Sequence, residues 1–298
     1  MSHPEVEAIL GELQAKTTGP GRPIEQIRSE FEKLYSQFKT TQPYKQEKVH
    51  IGNLTGSWIQ APHVQDKGCI LFFHGGGFSI GSVKSHADFC ARISAAASLK
   101  VLAMHYRLTP ENPFPAALDD CFSVYQWLLK HQKPSEIALA GISAGASLVL
   151  STLLKIKEQK LDLPQTAVCL SPFVDFLCTA PSIDENKGKD WIERDRLEAV
   201  RELYLGEHDP KDPLASPIYG DLTGFPPLLI QAGQNEILRD DARHFAEKAE
   251  KQGVEVTLEI WEGMIHCWQV FASKIPEGHQ AVAKIGEFLK SKMGAYGK

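Results

Sequence analysis

From residue 68 onward, short and almost wholly apolar runs alternate with stretches of helical periodicity, and this alternation restricts the fold more than any other feature of the chain. The runs lie at 68–73, 100–105, 136–140, 166–171, 227–232 and 254–261. The helical stretches lie at 85–98, 116–131, 144–158, 240–252 and 276–292. A strand that is apolar on both faces must be covered on both faces, and strand–helix–strand repetition makes neighbouring strands parallel. Two further strands, 45–51 and 54–60, flank a turn-like Gly52-Asn53 and are expected to form a hairpin, which brings the sheet to eight strands. The fold class expected is therefore α/β, mostly parallel, with helices on both faces.

Two segments stand outside the alternation. Residues 3–16 and 23–40 read as helices separated by Gly19-Pro20-Gly21. In the second, Ile24, Ile27, Phe31, Leu34, Tyr35 and Phe38 recur at three- and four-residue steps and form one apolar stripe. Between the strands at 166–171 and 227–232 lies a long insertion with a charged, solvated helix pattern at 189–205 and a proline-rich return through Pro210, Pro213 and Pro217. An insertion of that length in an α/β domain is usually a functional lid. The expected division is 1–43 as N-terminal cap helices, 44–177 as the first part of the core, 178–215 as a cap insertion and 216–298 as the second part of the core.

Composition narrows the function. At 298 residues the chain fits one large α/β domain with an appended piece. A net charge of −5 gives no basic face for nucleic acid. Apolar runs such as Cys69–Phe73 fall far short of the roughly 18 residues that span a bilayer, so no membrane partner is expected. The N-terminus is acidic and has no charged-then-apolar leader, and Cys69, Cys90, Cys121, Cys169, Cys178 and Cys267 show no close pairs and no metal-ligand spacing. These features set the expectation of reduced thiols in a cytoplasmic protein.

Two pentapeptides fit G-x-S-x-G: Gly77-Phe78-Ser79-Ile80-Gly81 and Gly141-Ile142-Ser143-Ala144-Gly145. A chain of this length matches that pattern by chance about one time in ten, so context must decide. A nucleophile elbow needs a strand running into the first glycine and a helix starting at the serine. Residues 136–140 and 144–156 supply both around Ser143, whereas the helix after Ser79 begins several residues later. Ser143 is the expected nucleophile and Ser79 a loop residue near the site. The run His74-Gly75-Gly76-Gly77 follows the third strand, and glycines let backbone N–H groups come close to an anionic oxygen.

At this point the chain resembles the hormone-sensitive-lipase-like branch of the α/β-hydrolase carboxylesterases, mainly its bacterial members, over roughly residues 65–290. The resemblance rests on His74-Gly75-Gly76-Gly77-Phe78, the stretch Tyr106–Asp120, the Ser143 elbow, Ser171-Pro172-Phe173-Val174-Asp175, Asp212-Pro213-Leu214-Ala215-Ser216-Pro217 and Gly263-Met264-Ile265-His266. It implies an α/β-hydrolase fold, ester hydrolysis by a serine triad, no cofactor or metal, and a cap built from the N-terminus and the 178–215 insertion. It implies oxyanion N–H groups on Gly76, Gly77 and Ala144, with His74 and Gly75 in support. The chain departs from the family at Ile142, where Asp commonly precedes the nucleophile, and at Glu236, where Asp is the commoner acid.

Chain order in this fold is serine, acid, histidine. Of His244, His266 and His279, only His266 follows the eighth strand by a short loop, at the sheet edge where sites form. For the acid, the segment after the seventh strand offers Glu236, Asp240 and Asp241. Glu236 lies in the loop, and its relation to Asp240 is that of the family's acid to a following Asp. Asp240 and Asp241 sit where a helix begins, where carboxylates complement the helix dipole. Arg107, Glu111 and Asp119 read as a buried charge network and Asp175 as a turn cap. The expected partner is a small-molecule ester of short to medium acyl chain. An amidase on the same triad and a non-catalytic receptor are the alternatives, and a homodimer is left open.

Overall fold

The computed structural model describes residues 4–17, 22–64 and 67–294. The apolar runs form six adjacent strands of one eight-stranded sheet in the order β1-β2-β4-β3-β5-β6-β7-β8, the last of them at its edge. Its strands are β1 (Lys45–Ile51), β2 (Leu54–Gln60), β3 (Cys69–Phe73), β4 (Lys100–His105), β5 (Ile137–Ile142), β6 (Thr166–Leu170), β7 (Leu228–Gly233) and β8 (Val256–Trp261). β1 and β2 pair antiparallel, β2 joins β4 antiparallel, and every pairing from β4 across to β8 is parallel. Every residue of β3, β5, β6 and β7 is buried, which is why these strands carry no polar face in the sequence.

Side chains alternate between two core layers, as the two-residue period of a strand requires. Cys69, Leu71 and Phe73 of β3 enter the layer under helices α4 (Ala116–Leu128), α5 (Ala144–Glu158) and α8 (Arg239–Lys251). Ile70 and Phe72 enter the other layer, under α3 (Val83–Ala97) and α9 (Pro276–Met293). The N-terminal helices α1 (Pro4–Thr17) and α2 (Ile24–Tyr35) join that second layer through Leu13, Phe31, Leu34 and Tyr35. The helical stripe expected to run to residue 40 ends at Tyr35 and tightens into a 3₁₀ turn at Ser36–Phe38. No helix among the described residues is long and apolar enough to cross a membrane.

The insertion carries a one-turn helix α6 (Ser182–Glu185) and the helix α7 (Arg194–Leu205). α7 starts later than residue 189, because Asp190 and Trp191 are bonded to other parts of the chain. It is amphipathic rather than solvated all round. Leu197, Val200, Tyr204 and Leu205 are buried, and the Tyr204 ring stacks on Phe78 with centroids 3.8 Å apart. That contact sets α7 over the glycine loop after β3.

The charges at 107–119 form three separate pairs instead of one buried network. Arg107 pairs with Asp120, Glu111 with Arg28 of α2, and Asp119 with Lys155 of α5. The side chains of Arg107, Glu111 and Asp119 are each close to half exposed, at 48%, 47% and 45%. Spacing alone could not show this, because two of the partners lie in distant helices. Asp175 does terminate a turn, accepting from Leu177 N at 2.9 Å.

Candidate active site

β5 runs directly into Ser143, and α5 begins at the next residue. The serine backbone lies at φ 53°, a region that costs an ordinary residue energy and is held here by its surroundings. Both flanking glycines are required by close approach. A Cβ on Gly141 would fall 2.2 Å from the Gly145 carbonyl oxygen, and one on Gly145 would fall 2.1 Å from that of Phe73. The tight turn lifts the hydroxyl out of the sheet edge. Ser143 Oγ lies 2.8 Å from His266 Nε2.

His266 comes from the loop after β8, and its Nδ1 lies 3.2 Å from Glu236 Oε2. Glu236 sits just past β7 and is wholly buried. Its Oε1 accepts from Gly233 N at 2.6 Å and from the Ser171 hydroxyl at 2.8 Å. Burial pushes the Glu236 carboxyl up from the usual carboxylate range, and the Gly233 and Ser171 donors pull it back towards the ionised form. Burial also pushes the His266 imidazole down, to about 4. A neutral ring with Nδ1–H directed at Glu236 leaves Nε2 free to accept the Ser143 proton.

Asp240 and Asp241 are tied up elsewhere. Asp240 accepts from Ser182 N at 3.0 Å and Asp241 from Val174 N at 2.9 Å. Both lie in the first turn of α8, as the dipole argument expected, yet they are buried and hold neighbouring loops. His244 and His279 take no part in the cluster.

The glycine loop lies beside Ser143. Gly76 and Gly77 have φ of 122° and 56°, and a Cβ on Gly76 would fall 2.2 Å from the Ile80 carbonyl oxygen. Gly75 N–H is directed at His86 Nε2 at 3.4 Å. The N–H groups of Gly76, Gly77 and Ala144 have no acceptor among the described residues. They are therefore available to an oxygen at Ser143, the last of them at the N-terminus of α5, where the helix leaves its first N–H groups unpaired. His74 braces the loop from below. Its ring stacks on Tyr106 at 4.2 Å, and the Tyr106 hydroxyl donates to His74 O at 2.7 Å. Burial holds its imidazole well below the ordinary histidine value, hence neutral.

Asp190, in the insertion, is a part of the site that sequence reasoning missed. Its side chain is fully buried. Oδ1 accepts from His266 N at 3.0 Å, and Oδ2 accepts from Ile237 N at 3.1 Å. The adjacent Trp191 donates its indole N–H to His266 O at 2.8 Å. Both backbone groups of His266 are thus held by two consecutive insertion residues. Burial and the nearby Glu236 push the Asp190 carboxyl up, and the His266 ring and the two N–H donors oppose this. Nothing in the local spacing marked Asp190, since its partners lie 47 and 76 residues away.

An open hollow of about 690 Å³ leads to Ser143. Phe31 and Tyr35 of α2, Phe173, Leu197 and Val200 form much of its wall. Its wall is largely apolar, and the Ser143 hydroxyl, the His266 imidazole and the loop Gly76–Gly77 meet in it, an arrangement suited to attack on a carbonyl carbon.

Residues 70–270 match a family described as having the alpha/beta hydrolase fold. An acetyl-hydrolase of Streptomyces hygroscopicus is 37% identical over 296 residues, covering 99% of both chains. An esterase of Acinetobacter venetianus is 34% identical, covering 89% of this chain and 88% of its own. The crystal structure of an esterase from the bacterial hormone-sensitive lipase family superposes with a TM-score of 0.95 at 39% identity, over 99% of this chain and all of the other.

Proposed function

Because the chain belongs to the bacterial hormone-sensitive-lipase-like family of α/β-hydrolase carboxylesterases and is a carboxylic-ester hydrolase, we propose that Ser143, His266 and Glu236 act as its triad. Ser143 Oγ attacks the ester carbonyl while His266 Nε2 takes its proton. The N–H groups of Gly76, Gly77 and Ala144 bind the oxyanion of the tetrahedral intermediate, where preorganised donors in a dry site act most strongly. His266 returns the proton to the leaving alcohol. Water then attacks the acyl-enzyme, with His266 again as base and Ser143 as leaving group. Glu236 fixes the ring tautomer and stabilises the imidazolium.

The observation that carries this reading is the unbroken relay from Ser143 through His266 to the buried Glu236, whose Ser143 end lies beside three N–H groups that have no acceptor among the described residues. The N-terminal helices and the 178–215 insertion act as a cap whose inner residues bound the acyl slot, and the substrates are short- to medium-chain esters. The name of the Streptomyces relative supports a short acyl group. Labelling with a fluorophosphonate and locating the adduct by peptide mass spectrometry tests the nucleophile. An adduct on Ser143 supports it, and one on Ser79 or none at all rejects it. A series of p-nitrophenyl esters from acetate to laurate tests the chain length, with falling kcat/KM expected at the long end.

A further inference from the structure

One charged group on the hollow's wall has no hydrogen-bond or ion-pair partner among the described residues. Arg196, in the first turn of α7, lines the wall between the Ser143 hollow and a smaller adjoining one of about 340 Å³, and Phe31 and Ile80 are shared by both. Its guanidinium makes no hydrogen bond or ion pair with any described residue. The neighbouring carboxylate of Asp195 instead accepts from Arg196's own backbone N, at 2.8 Å. Arg22, across the smaller hollow, is ion-paired with Glu30. The remaining titratable groups on the hollow's wall are the imidazoles of His266 and His86, the Tyr35 phenol and the Cys267 thiol, all held neutral by burial. Burial disfavours the Arg196 charge, the charge of Arg22 adds to this and Asp195 opposes it, but a guanidinium stays protonated in proteins. A partly desolvated cation in an apolar wall is a standing cost unless an anion meets it.

We propose that Arg196 recognises a carboxylate at the far end of the ester, so that the preferred substrates carry an apolar spacer between the scissile ester and a single negative charge. One guanidinium matches one carboxylate in charge and in fork geometry. A dianionic phosphate would leave one charge unmatched in an apolar wall. The apolar lining between Ser143 and Arg196 takes the spacer, and the charged end lies at the junction of the two hollows. The inference rests on the reading of Ser143 as nucleophile, and it names the substrate class of that site.

The test compares matched esters near neutral pH and low salt. One arm uses mono-p-nitrophenyl esters of adipic and longer dicarboxylic acids against their methyl-capped counterparts. The other places the carboxylate on the alcohol portion, against the corresponding methyl ester. The quantity read is the ratio of kcat/KM for charged over capped substrate. A ratio above one is expected in one arm, carried mainly by KM and falling with added salt. Arg196→Gln should lower it about 10- to 100-fold, the range for loss of a charge-assisted pair. Arg196→Lys should keep part of it, and Arg196→Glu should favour ammonium-ended esters instead. An equal ratio in wild type and Arg196→Gln in both arms and at every spacer length overturns the proposal. Failure of wild type to hydrolyse p-nitrophenyl acetate would instead overturn the reading of Ser143, so the two failures are distinct.

Discussion

Two pentapeptides in this chain share one pattern, Gly77–Gly81 and Gly141–Gly145, and the folded chain gives their serines opposite positions. Ser143 sits at a strand-to-helix elbow with its hydroxyl 2.8 Å from an imidazole. Ser79 lies in the turn after the glycine loop with its side chain buried, and its carbonyl accepts from Arg28 Nε at 2.9 Å. Both use glycine for close approach: a Cβ on Gly81 would fall 2.3 Å from the Gly75 carbonyl oxygen, much as one on Gly145 would meet that of Phe73. The glycines therefore do not distinguish the two. What differs is the element that enters and leaves the serine, which decides whether a hydroxyl points out of the sheet edge or into a packed turn.

That contrast is most exposed to test at the serines. Ser143→Ala should lower kcat by about 10⁴–10⁶, as removal of a triad nucleophile does elsewhere. If Ser79→Ala silences the enzyme and Ser143→Ala does not, the assignment of the two pentapeptides is reversed. Glu236→Gln should follow, with a loss of about 10³–10⁴ in kcat at an unchanged melting temperature, because the ring would lose its tautomer partner. Glu236→Asp should recover a measurable part, and steady-state kinetics beside a thermal melt separates these outcomes. At the elbow itself, Gly145→Ala should destabilise by about 2–4 kcal/mol, since the added methyl meets backbone on β3 that has no room to shift. Urea denaturation measures it, and a near-neutral result would mean that the elbow tolerates a looser turn.

Asp190→Asn should have a smaller effect and a more diagnostic one. The amide has one acceptor oxygen where the carboxylate has two, so either His266 N–H or Ile237 N–H loses its partner, and kcat should fall about tenfold. The Asp190 charge raises the His266 pKa. Removing it lets the ring stay neutral to lower pH, so the acid limb of the kcat/KM profile should move further acid. In the wild type that limb should already lie below the ordinary histidine value of 6.5, because burial disfavours imidazolium. An acid limb unmoved by Asp190→Asn would reduce Asp190 to a purely structural tie. The smallest change expected is Ser79→Ala, within about threefold in kcat/KM, since mutations away from the reacting groups and with a small volume change are mild.

The parts that were legible in the sequence were those written locally. The middle strands β3, β5, β6 and β7 were legible because a strand covered on both faces must be apolar throughout, and the less buried β1 and β2 were legible from the turn between them. The elbow was legible because strand, glycine, serine and helix are consecutive. The inner face of α7 was not. Its buried Leu197, Val200 and Tyr204 are outnumbered by charges along the helix, and only their packing over Phe78 and the pocket shows which side faces inward. The pairing of Arg107 with Asp120 rather than Asp119 was likewise undecidable, because adjacent carboxylates look alike in sequence.

The sequence by itself determined the order of elements, the two-sided sheet, the glycines that permit close approach and the family resemblance, since each is a property of neighbouring residues and their periodicity. Only the tertiary structure decided which carboxylate reaches His266. Glu236, Asp240 and Asp241 lie within six residues, and their fates part because helix α8 turns the latter two towards Ser182 and Val174. It alone brought Asp190 to the backbone of His266 and left Arg196 at the pocket wall with no hydrogen-bond or ion-pair partner among the described residues. The physical reason is that parallel crossovers carry strand ends from distant parts of the chain to one sheet edge. Contacts made there are set by how helices pack on the sheet, and no local spacing records them.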